Sequence, residues 1–198
     1  MYTSLYGKFL IRCIWSIIIK KWISRVSSYL SIFIFYNIEE EVKNMKIGID
    51  LGGSHIAIGV IDSNGRIEEK IEKRLLKKDK INIEESVENY IIENVEKLKK
   101  KYNIRKIGIS VPGTVNKDKI VKSVNLNIYN YEIVKKLEKK LKIPITIRND
   151  AKCAALAENT YGCLKKYKRS VFITIGTGIG GAVIIDNKLL DTGTLPRL

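Results

Sequence analysis

Between Met45 and Leu75 the apolar residues of this chain come in short runs, whereas after Ile83 they recur every three or four residues. That change of period constrains the fold more than any other feature. Runs over 46–51, 55–61 and 66–75 are separated by Gly52-Gly53 and Asn64-Gly65, which predicts a meander of antiparallel strands. Ile83, Val87, Ile91, Val95, Leu98 and Tyr102 then form the stripe of an amphipathic helix whose lysines and glutamates face water. An apolar run over 104–111 ends at Pro112-Gly113, a second helical stripe covers 131–141, and another strand is expected over 143–147. This order of strand, helix, strand, helix, strand predicts an α/β fold with parallel neighbours. A third helix over 151–161, closed by Gly162, leads to strands over 171–175 and 182–186 joined by glycines. The unpaired edge of that last pair is an aggregation hazard.

Residues 1–44 differ in character from the rest of the chain: the stretches 9–19 and 26–38 are apolar and aromatic, interrupted by Arg12, Lys20, Lys21 and Arg25. No stretch reaches the roughly 18 uncharged residues of a spanning helix, and no small-residue cleavage site comes after the first run. An interfacial helix flanked by Trp15, Trp22 and Phe35 would give this segment a membrane contact. The alternative is that the domain starts at Met45, where the run 46–51 needs nothing upstream. The net charge of +15 arises mainly from lysines. The clusters at 97–101 and 135–142 fall on the outer faces of the expected helices, so the charge is read as solvated helix surface and no nucleic-acid partner is expected. Cys13, Cys153 and Cys163 have no C-x-x-C spacing, so neither a disulfide framework nor a metal site is expected, and a cytoplasmic location fits. Cys153, among alanines, reads as a small buried thiol.

Three places depart from what packing alone requires. Asp50-Leu51-Gly52-Gly53-Ser54 is a strand running into two glycines and directly into another strand. Paired glycines let backbone N–H groups approach an anion, Ser54 adds a hydroxyl donor, and a carboxylate at a strand end can hold Mg²⁺ through water. Gly176-Thr177-Gly178-Ile179-Gly180-Gly181 satisfies G-x-G-x-x-G, but a dinucleotide site needs a helix after it, and residues 182–188 read as strand and turn. It is therefore a second strand–glycine–strand loop able to wrap phosphate. Asn149-Asp150 sits between a strand and a helix, where a carboxylate either caps the helix or, ionised, accepts a proton from a ligand hydroxyl. His55 matches no motif and reads as an ordinary strand histidine.

Taken together, Ile47-Gly48-Ile49-Asp50-Leu51-Gly52-Gly53-Ser54, then Val111-Pro112-Gly113, then Asn149-Asp150-Ala151 with Ala154-Ala155-Leu156-Ala157-Glu158, then the glycine block at 176–181 resemble the ROK family of sugar kinases and repressors, within the actin/hexokinase/Hsp70 superfamily. The resemblance runs from Met45 to about residue 190. It implies a ribonuclease-H-like lobe over 45–148, with an antiparallel meander followed by parallel strands, and the start of a similar, truncated lobe over 149–198. It implies ATP with Mg²⁺ as cofactors and a hexose in the cleft. Asp150 would be the general base toward the sugar hydroxyl, Asn149, Asn125 and Gly113 would face the sugar, and Asp50, Gly52, Gly53, Ser54, Gly176, Thr177, Gly178 and Gly180 would face the phosphates. The family pattern has Asn where this chain has Lys152, and usually Gly where it has Ala182.

Beyond Gly193 the family continues with a Gly-Glu-x-Gly-His segment and a zinc-binding cysteine cluster that these 198 residues do not contain. Three functions are compatible with the resemblance: a hexose kinase represented by its N-terminal part and inactive or not in that form, a fragment of a sugar-responsive repressor, and a non-catalytic remnant. The repressor class carries a helix-turn-helix ahead of the first glycine loop, and residues 1–44 are short and apolar for one. A full-length relative could form a homodimer.

Overall fold

The structure is a computed structural model, and it describes residues 44–175 and 179–190. Strands β1 (Met45–Leu51), β2 (His55–Ile61) and β3 (Ile67–Arg74) form the antiparallel meander. The β2–β3 turn closes on Asp62, whose carboxylate accepts the amides of Asn64 and Arg66 at 2.8 Å each. Gly65 supplies the positive φ of 80° there. Helix α1 (Ile83–Lys99) comes next, then β4 (Ile104–Val111), parallel to β1.

A three-stranded sheet is built from β5 (Thr114–Asn116), β6 (Lys119–Ser123) and β7 (Ile128–Tyr131). Helix α2 (Ile133–Leu141) returns the chain to β8 (Ile145–Asn149), which lies parallel to β4. The first sheet therefore has the order β3-β2-β1-β4-β8. Helix α3 (Asp150–Thr160) starts at the end of β8, and β9 (Arg169–Ile175), β10 (Ile179–Ile185) and β11 (Lys188–Leu189) make a separate antiparallel sheet.

The two faces of the first sheet differ because its strands alternate. Ile47, Ile49, Leu51, Ile56, Ile58, Ile107, Ile109, Ile145 and Ile147 form one core with Val87, Ile91, Val95 and Leu98 of α1 and Ile133, Val134, Leu137 and Leu141 of α2. Each such side chain, fully buried, contributes about 1.5–3 kcal/mol. On the other face Gly48 stands in register with Gly59 and Gly108. The expected stripe of α1 is the buried one, except that Tyr102 lies past the helix and is only partly buried.

Three expectations are corrected. The second helix begins at Ile133, because Tyr131 belongs to β7, where its hydroxyl donates to Glu88 Oε2 at 2.8 Å. The strand expected from residue 143 begins at Ile145. Gly162 comes after the third helix with φ of −109°, not in a left-handed cap. A side chain there would collide with the Glu158 carboxylate, which accepts the Cys163 amide at 2.9 Å. Residues 1–43, with their expected membrane contact, and Gly176, Thr177 and Gly178 lie outside the described residues. No helix among the described residues is long and apolar enough to cross a membrane.

Candidate active site

The carboxyl ends of β1, β4 and β8 lie side by side, with Asp50 in register with Ser110 and Ser110 with Arg148. The row is polar at the end of three strands that are otherwise largely apolar, and the helix dipole of α3 begins directly beyond it. Asp50 is 7 % exposed and Ser110 is fully buried. Sequence reasoning passed over Ser110; its signal was a lone hydroxyl inside the apolar strand Ile104–Val111.

Gly52 and Gly53 turn the chain from β1 into β2, with the Gly52 amide donating to the His55 carbonyl at 2.9 Å. His55, the first residue of β2, is a satisfied strand histidine. Its Nε2 lies 3.5 Å from Asp50 Oδ2, its Nδ1 lies 3.5 Å from Ser54 Oγ, and its ring covers Gly52 so closely that a Cβ there would stand 2.8 Å from Cε1. The hydrogen bond with Asp50 outweighs partial burial and raises the histidine's pKa above its ordinary value. Gly53 packs on Asn125, in a short 3-10 turn (Val124–Leu126), with 3.1 Å between a built Cβ and Asn125 Cβ. The first glycine loop and the candidate sugar-facing asparagine are therefore adjacent.

Gly113 and Asn149 are adjacent as well. Gly113 adopts φ of +108°, and its carbonyl accepts the Asn149 side-chain amide at 3.0 Å. Asn149, not Asp150, caps α3: its Oδ1 accepts the Lys152 amide at 3.2 Å. Its side chain also hydrogen-bonds the Asp150 carboxylate, so Asn149 ties the Gly113 turn, the start of α3 and Asp150 together. Asp150 occupies the first turn and accepts the Ala151 amide at 2.8 Å. Burial raises its carboxyl above the usual carboxylate range, and the nearby Asp50 charge adds to that. Two carboxylates thus lie near one another at the strand ends, with the protonation of Asp150 tuned by its surroundings, an arrangement suited to proton transfer.

Gly180 brings the second glycine block to the same place. A Cβ on it would lie 2.9 Å from Ala151 Cβ and 2.7 Å from Thr174 Oγ1. A strand, Ile179–Ile185, comes after this loop where the dinucleotide fingerprint would need a helix. Cys153, one turn into α3, is fully buried, and burial pushes its thiol up to about 12, so it is a protonated packing group. Ala182 takes the usual glycine's place by packing with Ala155, Leu156 and Ile184.

A mixed α/β sheet that opens with an antiparallel meander and continues with parallel strands is of the actin-like class. Residues 46–194 match the ROK family model, and the chain belongs to that family. It is 32 % identical over 150 residues to a glucokinase of Streptomyces coelicolor, an alignment covering 73 % of this chain and 45 % of the relative. It is 37 % identical over 89 residues to the xylose repressor of Bacillus subtilis, covering 44 % of this chain and 23 % of the repressor. The crystal structure of a ROK family glucokinase from Streptomyces griseus in complex with glucose and AMPPNP superimposes with a TM-score of 0.63 at 30 % identity. That match covers 74 % of this chain and 46 % of the other. The chain thus spans under half the length of these relatives.

Proposed function

We propose that this chain carries the first part of a cytoplasmic, glucokinase-like hexose kinase that uses ATP and Mg²⁺, with Asp150 as general base. The observation that carries the reading is the position of Asp150: half-buried at the start of α3, near Asp50, and next to the Asn149 that holds the Gly113 turn. The likeness to a glucokinase with glucose and AMPPNP bound supports the same substrate classes.

On this reading the sugar hydroxyl lies against Asp150, whose carboxylate takes its proton as the oxygen attacks phosphorus, a contribution on the order of 10²–10⁴ in rate. Asn149, held between the Gly113 turn and Asp150, orients the sugar together with Asn125 and the Gly113 turn. The glycines at 52 and 53 with the Ser54 hydroxyl would face a phosphate once the His55 ring over Gly52 turns aside, and Gly180 with residues 176–178 would form the second loop. ATP supplies the transferred phosphoryl group. Mg²⁺ would be held on phosphate oxygens with the strand-end carboxylate of Asp50, through water.

The test is hexose-dependent ADP release by this chain and by a full-length equivalent, over a panel of hexoses, with Asp150→Asn made in the full-length equivalent. Turnover abolished by the substitution, with hexose affinity kept within a few fold, is the expected result; unchanged turnover overturns the assignment. The likeness to the xylose repressor favours a second reading, a sugar-responsive regulator fragment. Hexose binding without turnover, accompanied by salt-dependent DNA binding, supports that one. Hexose binding with neither supports a non-catalytic remnant.

A further inference from the structure

The ring of His55 occupies the space that the first glycine loop would offer to a phosphate. Three contacts hold it there: Nε2 lies 3.5 Å from Asp50 Oδ2, Nδ1 lies 3.5 Å from Ser54 Oγ, and Cε1 lies 2.8 Å from where Gly52 would carry a Cβ. With its proton on Nε2 the neutral ring donates to the carboxylate and accepts from the hydroxyl. One side chain thus engages a charge, a donor and an open stretch of backbone. Both polar contacts are at the long limit of hydrogen bonding, and the ring is 34 % exposed against 10 % for the Asp50 side chain. It is a loose cover with one side already in water. The backbone around it is fixed, since the Gly52 amide donates to the His55 carbonyl and the Leu75 amide to the Ser54 carbonyl, each at 2.9 Å. Uncovering the loop is therefore a rotation of this side chain alone.

We infer that His55 is a gate on the first glycine loop that admits metal-bound phosphate and holds off bare phosphate. The inference rests on the assignment of Asp50 and Ser54 to a phosphate made above, and concerns what must leave before the phosphate enters. In the closed form the ring gives Asp50 a donor and Ser54 an acceptor. A bare phosphate replaces only the acceptor: its oxygens take the Ser54 hydroxyl, but its negative charge meets the Asp50 carboxylate. A phosphate carrying Mg²⁺ replaces both, with oxygens for the hydroxyl and, through the water of the metal, donors and positive charge for the carboxylate. Only the second ligand restores what the loop loses when the ring turns away, so only the second displaces it.

His55 is the only histidine of the chain, so its ring protons are unique signals in an NMR spectrum of the full chain. The probe is inorganic tripolyphosphate, at a pH of about 9, above the range in which histidine protonates, so that the signals report position and not charge. With Mg²⁺ it is expected to move the ring signals toward those of the chain unfolded in urea; with a chelator it is expected to leave them in place. In calorimetry His55→Ala is expected to bind magnesium tripolyphosphate roughly three- to tenfold more tightly than the parent, because two weak hydrogen bonds no longer compete, and metal-free tripolyphosphate no more tightly. Ring signals that stay in place while the magnesium complex binds overturn the gate. So do an equal or weaker affinity of His55→Ala for that complex, and an equal gain toward the metal-free ligand; these results leave the phosphate loop standing. Binding by neither chain overturns the phosphate assignment itself, and the gate with it. Should His55→Ala fail to fold, the parent's ring signals decide: movement by the magnesium complex alone supports the gate, and any other pattern overturns it.

Discussion

Gly113→Ala isolates the geometry on which the candidate site is built. The residue sits at φ of +108°, and a Cβ there would stand 2.2 Å from the Lys122 carbonyl oxygen and 3.0 Å from Ser123 Cα. An L-residue in left-handed backbone costs about 1–2 kcal/mol. The clash adds about 1–3 kcal/mol, because the obstacle is the backbone of β6, paired to β5 and β7, and not a side chain that can rotate away. A total loss of about 2–5 kcal/mol is a large share of the roughly 5–15 kcal/mol that stabilises a domain. Gly65→Ala is the control: its φ is +80°, but a Cβ would meet only the Tyr161 ring, at 3.0 Å. That ring is half-exposed and can yield, so the control is expected to cost about 1–2 kcal/mol. Urea unfolding followed by tryptophan-independent far-UV signal reads both, and the midpoint is expected to fall with the slope unchanged. If Gly113→Ala costs no more than Gly65→Ala, the backbone clash is not what selects glycine at this turn.

Two further outcomes rest on local contacts. Gly52→Ala forces the His55 ring off the loop, so its cost is expected to shrink when His55→Ala is already present; a double-mutant cycle in urea is expected to give a coupling of about 1 kcal/mol, and additivity refutes the contact. Asp79 accepts Lys73 Nζ at 2.7 Å and the Leu76 amide at 2.8 Å, and these bonds, the lysine's first, hold its carboxyl below the usual range. A lowered folded pKa stabilises above the unfolded value of about 3.9 and is lost as pH falls through the folded one. Asp79→Asn is therefore expected to lower stability at neutral pH and to flatten the acid limb of a stability–pH profile; parallel profiles refute it.

How much of this could be read from the chain depends on which residues make the turns. The meander, α1 and the parallel β4 and β8 were legible because glycine or proline punctuates them and isoleucines mark their period. The sheet of β5, β6 and β7 was not. Its strands are three to five residues long, and its turns use Lys117 and Asn127 at positive φ, where no glycine signals a reversal. Helix α2 likewise ends on Lys142 in the left-handed region instead of on glycine. At the site, the motif residues were legible as types, but their partners were not. Nothing in the sequence says that Asn149 would cap α3, that Gly53 would rest on Asn125, or that Gly180 would touch Ala151.

Those partners explain why α3 has the composition it has. A helix that joins β8 to a second sheet must let that sheet approach its first turn, since the second glycine block otherwise stands away from Asp150. Ala151, Ala154, Ala155 and Ala157 provide that approach: Ala155 and Leu156 seat Ala182 and Ile184, and Ala151 admits Gly180. The same small residues leave α3 little apolar area of its own, so its hold on β9 and β10 is weak compared with the isoleucine core of the first sheet. The alanines that let Gly180 stand against Ala151 thus obtain that close approach at the expense of packing behind it.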